Sequence, residues 1–182
     1  IGDIKEIKCN SREHYDRLNE KLTFMKKEAR DMCNHSRERF KTPSTAMLML
    51  IRNNNGKEQI LLHKRKNTGY MDGFYDFGAT GHVEDKETMS MALIRETKEE
   101  IGIDIENVDI NFVTLIHDIS NAIYYNGYFV VKKWKGEPKI NEHDKISEIK
   151  WCDIDDLPKN IIDSRRIAIR NYKTHNPYSE VC

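Results

Sequence analysis

A chain of 182 residues can bury a core of its own as one globular domain with an appendage, and it is too short for two catalytic-size domains. Its 30 basic and 30 acidic side chains cancel, so no overall field draws it to nucleic acid or an anionic membrane, and any polyanion must be recognised locally. The longest apolar run, Ala46 to Ile51, cannot span a bilayer, and no signal-peptide pattern opens the chain, so the expectation is a soluble, cytoplasmic protein without membrane partners.

Residues 11–39 read as a helix. Tyr15, Leu18, Leu22, Met25, Ala29 and Met32 recur at three- and four-residue spacing, and Asn10 with Glu13 makes a capping pair. This narrow apolar seam needs a partner surface, either the rest of its own chain, the favoured reading, or the same helix of a second copy in a homodimer. Pro43 disfavours helical geometry in Thr42, which puts the boundary of an N-terminal helical extension near residue 42. Cys9, Cys33, Cys152 and Cys182 lie far apart without zinc-site spacing and read as reduced thiols.

Beyond the boundary, "TAMLMLI" and "QILLHKR" flank an Asn/Gly turn in a hairpin pattern. Lys64 and Arg65 end its second strand, where they either reach a phosphate or stay solvated. Further strands are expected at "NFVTLIH", "AIYYNGYFVVKKW" and "EIKWCDI", with helices at 88–101 and 161–173. Strands and helices alternate irregularly, which predicts a mixed sheet flanked by helices.

The segment from Gly81 to Ile103, "GHVEDKETMSMALIRETKEEIGI", gathers five glutamates between Glu87 and Glu100. At about 100° per residue, Glu96, Glu99 and Glu100 share one helix face, with Met89, Ala92 and Leu93 continuing it and Met91, Ile94 and Ile101 opposite. Two-sided burial follows, with the carboxylates facing a cleft. Like charges at this spacing repel, and partial burial raises the cost unless a cation sits among them. Magnesium, a hard ion with oxygen ligands that bridges carboxylates to phosphates, suits such a cluster. Arg95, four residues before Glu99, can hold it by an ion pair. Gly102 stands where a left-handed cap favours glycine, and Gly81 stands in a loop where a positive φ or a close phosphate would explain it. Glu87 reads as a solvated side chain.

These residues resemble the signature of the Nudix (MutT-like) hydrolases: Gly81, Glu87, Arg95-Glu96, Glu99-Glu100, Gly102 and Ile103 stand at the family's spacing, with Thr97 and Thr80 as departures from the usual aliphatic and glycine. The resemblance implies an α/β/α sandwich with a mixed β-sheet from residue 43 to 182. It implies Mg2+, with Mn2+ as a substitute, held by Glu96, Glu99, Glu100 and the Gly81 position. A later acid, nominated as Glu142 over Glu137 and Asp144, would serve as further ligand or general base. Glu96, Glu99, Arg95 and Glu142 are the implied catalytic set, and Asn160 occupies a place where MutT-like proteins can read a base. Tyr124, Tyr125, Phe74, Tyr75 and Trp151 are candidates to stack on it, whereas His63, His82 and His117 read as packing or surface residues. The implied reaction is hydrolysis of a nucleoside diphosphate derivative, foremost a canonical or oxidised nucleoside triphosphate giving monophosphate and pyrophosphate. ADP-ribose, nucleotide sugars and dinucleoside polyphosphates are the alternatives, and a nucleotide-binding module without turnover is a third reading.

Overall fold

A computed structural model of the chain describes residues 12–34 and 40–182, apart from the side chains of 13–15 and 29–34. The chain divides between Lys41 and Thr42 into two compact units. The described element of the first is helix α1, Arg12–Asn34, on which Leu22, Phe24 and Met25 are exposed. Of the expected seam and cap, Asn10 and the side chains of Glu13, Tyr15, Ala29 and Met32 lie outside the described residues.

The second unit is built on strands β1 (Ser44–Asn54), β2 (Lys57–Arg65), β3 (Tyr75–Phe77) and β4 (Ala79–His82), then helix α2 (Met89–Ile101). It continues through β5 (Asn111–Asp118), β6 (Tyr124–Val131), β7 (Ile146–Asp153), helix α3 (Asp163–Thr174) and β8 (Tyr178–Val181). Side chains alternate across a strand, so β1 serves two cores at once. Ala46, Leu48 and Leu50 pack with Leu61, Ala92, Leu93 and Ile101 on the α2 side. Met47, Met49 and Ile51 pack with Ile60, Leu62, Tyr128 and Ile169 on the α3 side. Burial on both faces is why β1 reads as an unbroken apolar run, and the result is the expected α/β/α sandwich. Among the described residues no helix is long and apolar enough to cross a membrane.

Asn55 (φ 53°) and Gly56 (φ 83°) form the two-residue hairpin loop, whose two left-handed positions match the twist of the strands they join. Along one edge β1 runs parallel to β6, from Ser44 to Leu50. The other edge is divided: Thr45–Leu48 pair with β4, and Ile51–Asn54 pair with β2. Past the fork, β2 carries β3 and β7. The short β3, β4 and β8 were not expected; β8 runs parallel to β5 and covers its edge.

An ion pair fastens α3 to β3. Arg165 donates through Nε (2.6 Å) and Nη2 (2.9 Å) to the two carboxylate oxygens of Asp76, which is fully buried, and Arg65 Nη1 adds a third contact at 3.1 Å. Burial alone would raise Asp76, but the adjoining Arg165 guanidinium outweighs it and holds the carboxyl at about 2.

Candidate functional site

Helix α2 opens at Thr88, whose hydroxyl accepts the Met91 N–H at 3.2 Å, and closes at Gly102, left-handed at φ 72° as expected. Of the two sides expected to be buried, Ala92 and Leu93 on one and Ile101 on the other are buried and Ile94 is half-buried, all against one core. Thr97 is buried too, whereas Met91 is exposed, which corrects the expectation at that residue. The buried arc passes through Glu96 and Glu100, so these two carboxylates turn inward while Glu99 stands at the rim. Thr97 fills its buried place by donating its hydroxyl back to the Leu93 carbonyl at 2.5 Å.

Gly81 lies within β4 and its φ is not positive, which corrects the loop reading. What requires glycine is a close approach by Glu96, since a Cβ built at Gly81 would fall 1.9 Å from Glu96 Oε1. A Gly81→Ala variant is expected to lose at least about tenfold in activity with little change in melting temperature, because the flexible Glu96 side chain can swing away without disturbing the core. Thermal melts and steady-state rates on the same preparation check this.

Arg95 is the hub. Its Nη1 meets Glu96 Oε1 at 2.6 Å and Glu99 Oε2 at 3.3 Å, and its Nη2 also donates to the His82 carbonyl at 3.1 Å. Glu87 grips the same guanidinium through both oxygens at 3.0 Å and accepts the Glu84 N–H at 3.0 Å. Glu87 is therefore a packed anchor for Arg95, with a side chain only 12% exposed, and the solvated reading is overturned.

Burial pushes Glu100 up to about 8, against the opposing pull of the Thr80 N–H, which donates to its Oε2 at 2.9 Å. The Thr80 departure thus leaves that backbone donor in use. Burial also raises Glu96, Arg95 resists, and the neighbouring charges of Glu99 and Glu142 add to the rise. Glu142, from the loop before β7, gives one oxygen to Lys145 Nζ at 2.9 Å, while its other oxygen is buried and without a hydrogen-bond partner among the described residues. This partnerless oxygen and the two raised glutamates are the donor chemistry of a hard divalent cation. Among the described residues no three acidic, histidine or cysteine side chains are gathered into a ready metal cage. The guanidinium of Arg95, drawn onto Glu96 and Glu99, supplies the positive charge there.

A cleft of about 650 Å³ opens in the fork of the sheet, bordered by Glu100, Gly81, Arg65, Tyr124 and Arg165. Lys64 and Asn160 do not line it. Lys64 lies over the Tyr75 ring, 5.8 Å from its centre, and the Asn160 amide donates to the Gly73 carbonyl at 2.8 Å. Arg65 does line it, yet its donors are directed to Asp76, Thr68 and the Tyr70 carbonyl. Of the aromatic candidates Tyr124 reaches the cleft, whereas Tyr125 stacks on His117 and Trp151 on Trp134. His63 is buried and its Nδ1 donates to the Gly78 carbonyl at 3.3 Å; burial lowers its pKa, against the opposing pull of Asp76. Sequence reasoning missed Thr45, Asn126 and Arg165 at this cleft, and Asp76 buried behind Arg165; a charged or polar residue inside an apolar strand or helix pattern was the available signal.

The NUDIX domain family pattern matches residues 42–172. The 8-oxo-dGTP diphosphatase of Proteus vulgaris is 36% identical over 78 residues, covering 43% of this chain and 68% of that protein. The 8-oxo-dGTP diphosphatase of Escherichia coli (strain K12) is 27% identical over 111 residues, covering 60% of this chain and 83% of that protein. The crystal structure of a MutT NUDIX hydrolase from Burkholderia pseudomallei superimposes with a TM-score of 0.62 at 24% identity, covering 72% of this chain and 98% of the other, a likeness of fold.

Proposed function

Because the chain belongs to the NUDIX domain family and is a Nudix hydrolase of the MutT-like kind, we propose that it hydrolyses nucleoside triphosphates, canonical or oxidised, to monophosphate and pyrophosphate with a divalent metal. The observation that carries this reading is the set of inward carboxylates, Glu96, Glu100 and the partnerless oxygen of Glu142, beside a cleft large enough for a nucleotide.

Glu96, Glu99, Glu100 and Glu142 would hold magnesium or manganese, which when bound neutralises phosphate charge and orients the attacking water. Water adds to the α- or β-phosphorus of the triphosphate, the bond from that phosphorus to the α–β bridging oxygen breaks so that monophosphate and pyrophosphate part, and the water's proton passes to Glu99 or Glu142. Arg95, fixed by Glu87, keeps Glu96 and Glu99 in place. Gly81 leaves room for Glu96, and the Thr80 N–H orients Glu100.

The test is a magnesium-dependent product assay across canonical and oxidised nucleoside triphosphates, ADP-ribose and dinucleoside polyphosphates. Pyrophosphate from a triphosphate is the expected result. Turnover confined to the other two classes, or binding of nucleotide without any turnover, would replace this reading.

Metal binding should also be proton-linked. With its carboxyl at about 8, Glu100 is protonated below that pH and must give up the proton to ligate, so magnesium affinity rises from pH 6 to 9 with proton release. Titration calorimetry in two buffers of different ionisation enthalpy measures both; affinity flat across that range would exclude Glu100 as a ligand.

A further inference from the structure

Thr45 and Asn126 face each other in register across the parallel β1–β6 pair, at the end of the sheet where β4 flanks the other side of β1. Both are 5% exposed, and both line the cleft. The Thr45 hydroxyl donates to Asn126 Oδ1 at 2.5 Å, which fixes the amide. That bond uses the hydroxyl proton and the amide oxygen. Among the described residues nothing else bonds to the Asn126 Nδ2 donors or to the remaining lone pairs of Thr45. An amide donor beside a hydroxyl acceptor is therefore held in the wall of an otherwise open cleft, with the amide nitrogen left unbonded by any described side chain or backbone group.

Strand alternation says what surrounds this edge. His82 pairs directly with Thr45 and Thr80 with Met47, so these four share one face, and Tyr124, two residues before Asn126 in β6, shares the face of Asn126. Tyr124 and His82 stand together, ring centres 5.7 Å apart, as an aromatic wall. Thr80 links the patch to the carboxylates, since its N–H is the one on Glu100. An aromatic wall, an apolar floor at Met47 and a donor–acceptor edge match a flat nitrogen heterocycle, which carries neighbouring hydrogen-bonding groups on its rim. A sugar phosphate offers no flat face to the aromatic wall, and a bare polyphosphate offers neither a flat face nor a donor for the hydroxyl acceptor.

We propose that Thr45 and Asn126 form the base-reading edge of this cleft, so that the site takes a nucleoside and discriminates against base-free phosphates. The inference rests on the nucleotide reading above. Thr45 and Asn126 are specificity-determining residues: they hydrogen-bond the heterocycle, and Tyr124 stacks on it.

The experiment measures binding of nucleoside 5′-monophosphates and of ribose 5-phosphate, the same molecule without its base, to the full chain by calorimetry. The parent is expected to bind at least one monophosphate about tenfold or more tightly than ribose 5-phosphate. Asn126→Leu and Thr45→Val should erase most of that ratio, while Thr45→Ser, which keeps the hydroxyl, should retain it. A purely structural pair would alter melting temperature and both affinities alike, leaving the ratio unchanged. An unchanged ratio in both deletions, or a parent that binds ribose 5-phosphate as well as every monophosphate, overturns the inference. Base-dependent binding without pyrophosphate release would instead remove the hydrolytic reading and leave this one standing.

Discussion

Glu99→Gln should lower kcat by about 10²- to 10⁴-fold, the span that loss of a positioned proton acceptor commands, with added loss if the same carboxylate holds metal. The fold should hardly notice. The Glu99 side chain is 54% exposed and its one described ion pair, to Arg95 at 3.3 Å, is a rim contact of a kind worth at most about 1 kcal/mol. Glutamine keeps the shape and can still accept from Arg95, but it neither takes a proton nor supplies negative charge. Rates at saturating magnesium, alongside a melt, separate chemistry from stability. If kcat matched the parent, the role given to this helix would be lost.

The largest effect on stability is expected from Asp76→Asn. Removing one partner of a buried pair leaves an uncompensated charge and costs about 3–5 kcal/mol, and here the stranded group is Arg165, 6% exposed with both Asp76 oxygens as partners. Urea midpoints give the cost, and Asp76→Asn combined with Arg165→Met should recover part of it because the more deeply buried of the two stranded cations is then gone, leaving only the partly exposed Arg65 without its carboxylate. A single variant within about 1 kcal/mol of the parent would mean that α3 is secured by its apolar face alone. The pH dependence has a fixed sign. Asp76 sits at about 2 in the fold against 3.8 when free, so its contribution is complete above 3.8 and is lost as pH falls through about 2. Acid unfolding of the parent should therefore steepen in that window.

The glutamate helix and the hairpin were legible because each follows from local rules. A 3.6-residue period, a glycine cap and an Asn-Gly turn act within a few residues of themselves. Strands β3, β4 and β8, of three or four residues, are too short for alternation to register and owe their existence to neighbours already in the sheet. Glu87 was misread because its partner is Arg95, eight residues on, and the loop before α2 brings the two together across a distance that helical geometry does not predict. The Asp76–Arg165 pair spans 89 positions and the Thr45–Asn126 pair 81, and only the assembled sheet joins them. Asn160 illustrates the converse: its place in the chain suited a base-reading role, but its amide is directed to the Gly73 carbonyl.

Strand β1 takes on three neighbours: β4 and β2 divide one side of it while β6 runs along the other. The width of the sheet beneath the cleft is consequently gauged by main-chain ladders, each about 4.8 Å wide, which side-chain exchange does not stretch or shrink. Divergence in what such a scaffold accepts then falls to the strand side chains that face the cleft, such as Thr45 and Asn126, and to the connections at 66–74 and 119–123, which can lengthen or reshape while the ruler beneath them keeps its graduations.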